Sequence, residues 1–160
     1  MQCLDDELIV DGALAMSETQ ARTFWQIREN FEPEQKKYPL IYGYDVSLPI
    51  DAMETYVADV RRELLRAYSD ASLYAYGHVG DGNLHFSIYP GEQADFDGVN
   101  KIVYSPLQAL NGSVSAEHGI GLEKKAYLGI TRSEAEVNLM RRMKQMMDPK
   151  NILNPGKLFD

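Results

Sequence analysis

The segment Tyr76-Gly77-His78-Val79-Gly80-Asp81-Gly82-Asn83-Leu84-His85 places two histidines seven positions apart around a glycine-rich turn. A second glycine-rich stretch, Ser113 to Gly121, carries the adjacent pair Glu117-His118, and the two stretches together hold all 3 histidines of the chain. Two neutral imidazoles and a carboxylate suit zinc or a related divalent ion and leave a coordination position for water or substrate. An ion held this way polarises an oxygen and lowers the pKa of a bound hydroxyl. His78, His85 and Glu117 are therefore the candidate ligands. His118 is the candidate general base, because imidazole exchanges protons near neutral pH. Asp81 can orient an imidazole or simply cap the turn. The spacing equally suits hydrogen-bonded histidines in a tight hairpin, and it is not the His-Glu-x-x-His helix motif.

The elements that must position these residues follow from periodicity. Leu8-Ile9-Val10 before Asp11-Gly12 reads as a strand and turn. Ser17 with Gln20 marks a capping box for a helix over 18–30, whose apolar face includes Ala21, Phe24, Trp25 and Ile27. Arg28 lies at the edge of that face, where its planar fork can pair with a substrate carboxylate or simply meet solvent. A strand is predicted over 40–48, ended by Pro49, and Asp51 with Glu54 marks a second capping box for a helix reaching Tyr68.

Strands over 73–77 and 84–89 form a hairpin that brings His78 and His85 to one end, although an odd separation does not by itself put both on one face. Gly80 and Gly82 permit backbone conformations that a β-carbon opposes. A helix over about 98–110, a short strand over 113–116 and a brief helix over 122–127 follow. Ser133 with Glu136 caps a last helix ended by Asp148-Pro149, with Met140, Met143 and Met147 read as core packing. The apolar, turn-rich tail over 151–158 is expected to pack on the body. Lys36-Lys37 and Lys124-Lys125 read as solvated patches, and Cys3 as a residue without a role. This order predicts an α+β fold: an antiparallel sheet backed by helices, with ferredoxin-like elements and a C-terminal helical segment.

The 160 residues allow one core and argue against two independent domains. A net charge of −8 opposes a general nucleic-acid binder, which needs a basic stripe against phosphates. The single cysteine permits a reducing compartment. With neither a spanning apolar run nor a signal-like N-terminus, the expectation is a cytoplasmic protein, or one peripheral to a membrane through a partner. Neither a Rossmann fingerprint nor a Walker A loop is present.

Six segments occur in the order found in one family: Asp11-Gly12, Phe24 to Glu29, Tyr44 to Pro49, Gly77 to His85, Ser113 to Gly121, and Asp148 to Lys157. Through them the chain resembles the C-terminal substrate domain of the FAD-linked 2-hydroxy-acid dehydrogenases and oxidases, the family that includes D-lactate dehydrogenase, D-2-hydroxyglutarate dehydrogenase and the flavin-bearing chain of glycolate oxidase. The resemblance implies oxidation of a 2-hydroxy acid to its 2-oxo acid with hydride transfer to FAD. It implies metal binding by His78, His85 and Glu117, proton removal by His118, and a carboxylate held by Arg28. It also places Asn83, Ser87 and Asn154 toward the flavin.

Two positions depart from the family. Gly43 stands where a lysine commonly contacts acidic substrate groups, and Ser87 where some 2-hydroxyglutarate-type members have asparagine. These departures speak against a dicarboxylate and leave glycolate, lactate or another small acid open. Residues 1–160 are expected to be a partial C-terminal substrate domain without its FAD-binding domain, inactive alone, and prone to pair with that domain or subunit or to self-associate through an exposed sheet edge. The same His-His-Glu shell also suits a metal-assisted hydrolase, and the non-enzymatic reading is a structural or oligomerisation domain.

Overall fold

Residues 10–30, 36–92 and 95–159 are described by the structure, a computed structural model. The strand expected at Leu8 to Val10 falls largely outside these residues, as does Cys3. The chain divides into two compact units, residues 1–39 and 40–160.

In the first unit, helix α1 (Glu18–Glu29) begins where the sequence predicts. The Ser17 hydroxyl accepts the Gln20 backbone N–H at 3.3 Å, and the Gln20 side chain accepts from the Met16 N–H at 2.6 Å. The helix buries no residue, so its apolar side chains Phe24, Trp25 and Ile27 are exposed. Arg28 sits in its last turn with the guanidinium 5.3 Å from the Trp25 ring centroid.

The second unit is built on a three-stranded antiparallel sheet in the order β1-β3-β2, comprising β1 (Tyr42–Ser47), β2 (Ser72–His78) and β3 (Asn83–Tyr89). Alternation divides its two faces cleanly. Tyr44 and Val46 of β1, Leu84, Phe86 and Ile88 of β3, and Leu73 of β2 are buried in the core. Helix α2 (Met53–Ala67) covers them with Tyr56, Val60 and Leu64, one face at four-residue spacing. Helix α3 (Phe96–Tyr104) adds Val99, Val103 and Tyr104. Two buried tyrosines pair their hydroxyls: that of Tyr56 donates to the Val103 carbonyl at 2.7 Å, and that of Tyr44 to Asn100 Oδ1 at 2.8 Å.

The β2–β3 connection is a single 3-10 turn, Val79–Asp81, followed by Gly82 at φ 73°. A methyl group at Gly82 would overlap the Leu48 carbonyl, and one at Gly77 would overlap the Asn83 carbonyl, so both glycines are required by close backbone approach. Gly80 is not: its φ is not positive and the space around it is open. Asp81 Oδ1 accepts the Asn83 N–H at 3.1 Å, which makes it the turn cap.

Several expectations are corrected. Helix α2 has no side-chain cap from Asp51; it continues from a 3-10 turn, Ile50–Ala52, whose Ala52 N–H already bonds the Pro49 carbonyl at 3.0 Å. Helix α3 starts at an Asp95 cap and ends at Tyr104, where a 3-10 turn, Ser105–Leu107, accommodates Pro106. Residues 113–116 form no strand, only a bridge between Ser113 and Ser47. A 3-10 turn, Lys125–Tyr127, and helix α4 (Leu128–Thr131) replace the helix expected over 122–127.

Helix α5 (Glu134–Met147) carries the full Ser133/Glu136 capping box, yet it buries nothing, and Met143 and Met147 are exposed rather than core. Helical periodicity records an amphipathic face, not what covers it. The tail is tied down mainly by backbone bonds. Asp148 accepts the N–H groups of Ile152 and Leu153, Leu158 donates to Gly121 at 3.1 Å, and Phe159 is buried, while Ile152 and Leu153 remain exposed. Among the described residues, no helix is long and apolar enough to cross a membrane.

Candidate metal and acid-base site

The sheet face opposite the core carries the chemistry. Tyr76 lies opposite His85 and His78 opposite Asn83, so His78 sits two residues along β2 from the partner of His85. Antiparallel pairing therefore restores the two rings to one face despite their odd separation in sequence. Their centroids are 5.7 Å apart at 83°. Asp45 lies opposite His85 from β1, on the same face.

Glu117 and His118 reach this face through the loop that follows the Ser47–Ser113 bridge. Glu117 Oε1 lies 3.7 Å from His78 Nε2, and its Oε2 lies 3.8 Å from His85 Nε2. The His118 ring stacks on His85 at 5.6 Å and 21°. Tyr76 packs on the same imidazole at 5.4 Å. Four of the residues nominated from sequence thus meet in space.

The loop is held by a residue whose importance the sequence reading missed. Asp45 is 0% exposed, and its carboxylate accepts three consecutive backbone N–H groups: Ala116 at 3.2 Å, Glu117 at 3.0 Å and His118 at 2.9 Å. The Ser115 hydroxyl lies 3.0 Å from the same carboxylate, and Lys124 Nζ lies 3.3 Å away while also donating to the Asp45 carbonyl at 3.0 Å. These N–H groups point at a carboxylate instead of a neighbouring strand, so the chain from Ala116 onward runs as a loop. Lys124 is 7% exposed, correcting its reading as a solvated patch; Lys125 alone reaches outward, to the Gly156 carbonyl. The available signal was a lone carboxylate alternating with core residues in an apolar strand, between Tyr44 and Val46.

Burial alone would push the Asp45 carboxyl up. The N–H groups of His118 and Glu117, then the Lys124 charge and the Ser115 hydroxyl, outweigh it and hold the group at about 2 against an ordinary 3.8. The folded state therefore binds this proton less tightly than the unfolded chain. Its contribution is complete above the unfolded value and is lost as the pH falls through 3.8 toward about 2. The expected size is about 2 kcal/mol. Urea midpoints of the wild-type chain should fall between about pH 5 and pH 2, and more steeply than those of Asp45→Ala; parallel curves would contradict the assignment.

Two triads on this face each bring three donor atoms within 4.8 Å of one another: His78, His85 and Glu117, and Asp45, His85 and His118. The second is a poor ligand set, because the oxygens of Asp45 are already engaged by three N–H groups and an ammonium. The first fits a divalent ion. His85 is held at 12% side-chain exposure on the central strand, whereas His78 and Glu117, at 40% and 49%, have room to close to zinc-ligand distances of about 2 Å.

Ser87 lies two residues from His85 on the same face, with its hydroxyl 3.5 Å from that of Tyr76. Asn83 is 2% exposed with neither amide atom hydrogen-bonded, a buried group of the kind that meets a ligand or ordered water. Asn154 sits at φ 47° in the exposed C-terminal turn. Arg28 belongs to the first compact unit.

Comparison with known proteins gives the family of the chain. The family model described as "FAD linked oxidases, C-terminal domain" matches residues 1–158. The chain is 42% identical over 99% of its length to a D-2-hydroxyglutarate dehydrogenase of Xanthomonas citri pv. viticola, covering 35% of that protein. It is 35% identical over 98% of its length to one of Stutzerimonas stutzeri, again covering 35%. With the mitochondrial D-2-hydroxyglutarate dehydrogenase of Bos taurus it shares 37% identity over 99% of its length and covers 29%. The chain thus spans about a third of the length of these relatives. It belongs to the C-terminal domain family of the FAD-linked oxidases.

Proposed function

We propose that this chain supplies the substrate-side half of an active site that oxidises a 2-hydroxy acid to its 2-oxo acid, working with an FAD-binding domain or subunit. The observation that carries this reading is the meeting of His78, His85 and Glu117 with His118 stacked beside them. A divalent ion, zinc by donor type, held by His78, His85 and Glu117 would supply Lewis acidity at the 2-hydroxyl, and FAD would accept the hydride from C2. His118, 65% exposed, is open to take the hydroxyl proton as the C2 hydrogen leaves with its electron pair. Arg28 is assigned to the substrate carboxylate, and Asn83, Ser87 and Asn154 to the flavin side. A cytoplasmic location belongs to this proposal, with organelle import, as in the mitochondrial relatives, the alternative that fractionation would reveal.

The test is activity of the chain co-purified with a complementary FAD-binding portion, using a dye acceptor and D-2-hydroxy acids. His118→Gln should lower kcat by about 10²- to 10⁴-fold, with flavin content unchanged. Unchanged turnover, or hydrolysis proceeding without flavin, would overturn the proposal.

Substrate choice is expected to centre on a single spot of the sheet. Gly43 pairs directly with Ser87, so both departures from the family pattern are cross-strand neighbours on the face that carries His85. A β-carbon at Gly43 would meet nothing within 4 Å. A second carboxylate arriving there finds open space rather than an ammonium. D-2-hydroxyglutarate, named in the relatives, and D-lactate should therefore differ by less than about tenfold in kcat/KM, and Gly43→Lys should favour the dicarboxylate by about 10- to 100-fold, the worth of one charge-assisted hydrogen bond. A strong wild-type preference for the dicarboxylate that Gly43→Lys leaves unchanged would contradict this account.

A further inference from the structure

Glu117 and His118 stand on a loop that backbone bonds tie only at its two ends. Ahead of it, Ser113 exchanges both backbone bonds with Ser47; behind it, the Lys124 N–H reaches the Ile120 carbonyl and the Leu158 N–H the Gly121 carbonyl, each at 3.1 Å. The stretch between is exposed and turns through Gly119 and Gly121 at φ 75° and 56°. Among the described residues, the N–H groups of Ala116, Glu117 and His118 are bonded to Asp45 alone. Asp45 is the opposite kind of residue: 0% exposed, and paired in β1 with His85 of the central strand. A fixed point in the sheet thus holds the middle of an otherwise open loop.

The holding atom is fully occupied by this task. Three backbone N–H groups and the Lys124 ammonium converge on Asp45 Oδ2 at 2.9 to 3.3 Å, which leaves it unsuited to ligate an ion. What the clamp delivers is the Glu117 side chain. Its two oxygens lie 3.7 Å from His78 Nε2 and 3.8 Å from His85 Nε2, although the side chain is 49% exposed and free to turn. On an unclamped backbone, the same carboxylate would be spread over many loop conformations, and an ion would have to order the loop to capture it. A third ligand already within reach makes that capture a local step, with the gain of a high effective concentration.

We propose that Asp45, anchored by Lys124, is a positioning residue that sets the ion affinity of the His78, His85 and Glu117 site through the loop backbone, touching neither ion nor substrate. This deepens the functional reading above and rests on it, because the affinity matters only if the site takes an ion. Clamping of the loop and binding of the ion are then one coupled equilibrium. Whatever factor the clamp adds to ion affinity, the ion returns to the closure of the clamp.

Hydrogen exchange of the wild-type chain, followed by NMR without metal, should find the amides of Ala116, Glu117 and His118 protected at least about 100-fold over open-chain rates, exposed though the loop is. Saturating Zn²⁺ should slow them by about a further 10- to 100-fold, the reciprocal of the clamp's effect on affinity. Zn²⁺ affinity itself is read by competition with a chelator in a double-mutant cycle. Asp45→Ala and Lys124→Met, made together so that no ammonium is left buried alone, should weaken binding about 10- to 100-fold. In a Glu117→Gln background the same pair should cost less than about threefold, since the clamp then has no carboxylate to deliver. An equal loss in both backgrounds would place Asp45 at the ion or on His85, whose Nδ1 lies 3.9 Å away, and overturns the proposal. So does an unchanged affinity in the paired variant. Wild-type amides that exchange at open-chain rates, or that ignore Zn²⁺ bound to the chain, overturn it as well, and this arm decides even if the paired variant does not fold. A wild-type chain that binds no Zn²⁺ takes the functional reading down together with this inference. The other adverse results sink the inference alone, because flavin and substrate take no part in them.

Discussion

Asp45→Ala is expected to lower the unfolding free energy by about 3–5 kcal/mol, the largest effect of any single substitution in the site. Removing the carboxylate leaves the Lys124 ammonium, 9% exposed in its side chain, with only the Asp45 carbonyl and the Ser115 hydroxyl as acceptors. It also leaves the N–H groups of Ala116, Glu117 and His118 without partners. An uncompensated buried charge and several unsatisfied donors each cost more than the original bonds contributed. A domain of this size has about 5–15 kcal/mol in total, so about a fifth or more of its stability is at stake. Urea unfolding followed by circular dichroism measures this directly. A loss below about 1 kcal/mol would mean that the loop opens to water at little cost and that the network does not hold it.

Zinc at about a thousandfold excess over its dissociation constant should stabilise the wild-type chain by about 4 kcal/mol, and His85→Ala should abolish nearly all of that gain. The reason is the unequal mobility of the three donors. His85 stands on the central strand at 12% exposure, between Tyr76 and His118, whereas His78 and Glu117 are 40% and 49% exposed. The rigid imidazole gives the ion a fixed point to which the other two can close. Glu117→Gln separates side chain from backbone, because the Glu117 N–H still reaches Asp45 at 3.0 Å. Without zinc its stability should match the wild type within about 0.5 kcal/mol; with zinc it should gain much less. Thermal scans with zinc and with chelator give both numbers. A wild-type chain that ignores zinc, or a His85→Ala chain that retains the full shift, would remove the ion from the site.

Much of the scaffold was legible along the chain. The helices at Glu18–Glu29, Met53–Ala67 and Glu134–Met147 and the three strands follow from local periodicity and turn chemistry, which depend on near neighbours. The Ser133/Glu136 box formed as read because both partners lie in one turn. Asp51 and Glu54 show the same pattern without forming a cap, since Asp51 lies inside a 3-10 turn and the residue before the helix is Ala52. The Met143 and Met147 face was amphipathic as expected but exposed, because a helix's own sequence says nothing of its partner.

The chemistry divides along the same line. Residue types alone determined that any imidazole-based metal or proton-transfer site here must draw on His78, His85 and His118, since no other imidazoles exist in the chain. Only the tertiary structure decided that these residues meet, that antiparallel register puts both hairpin rings on one face, and that Asp45 and Lys124 lie beneath the loop. A hydrogen bond between positions 79 residues apart leaves no local periodicity to read. It arises when alternation turns one carboxylate of an apolar strand away from the core, and the folded sheet brings a distant loop and an ammonium to neutralise it.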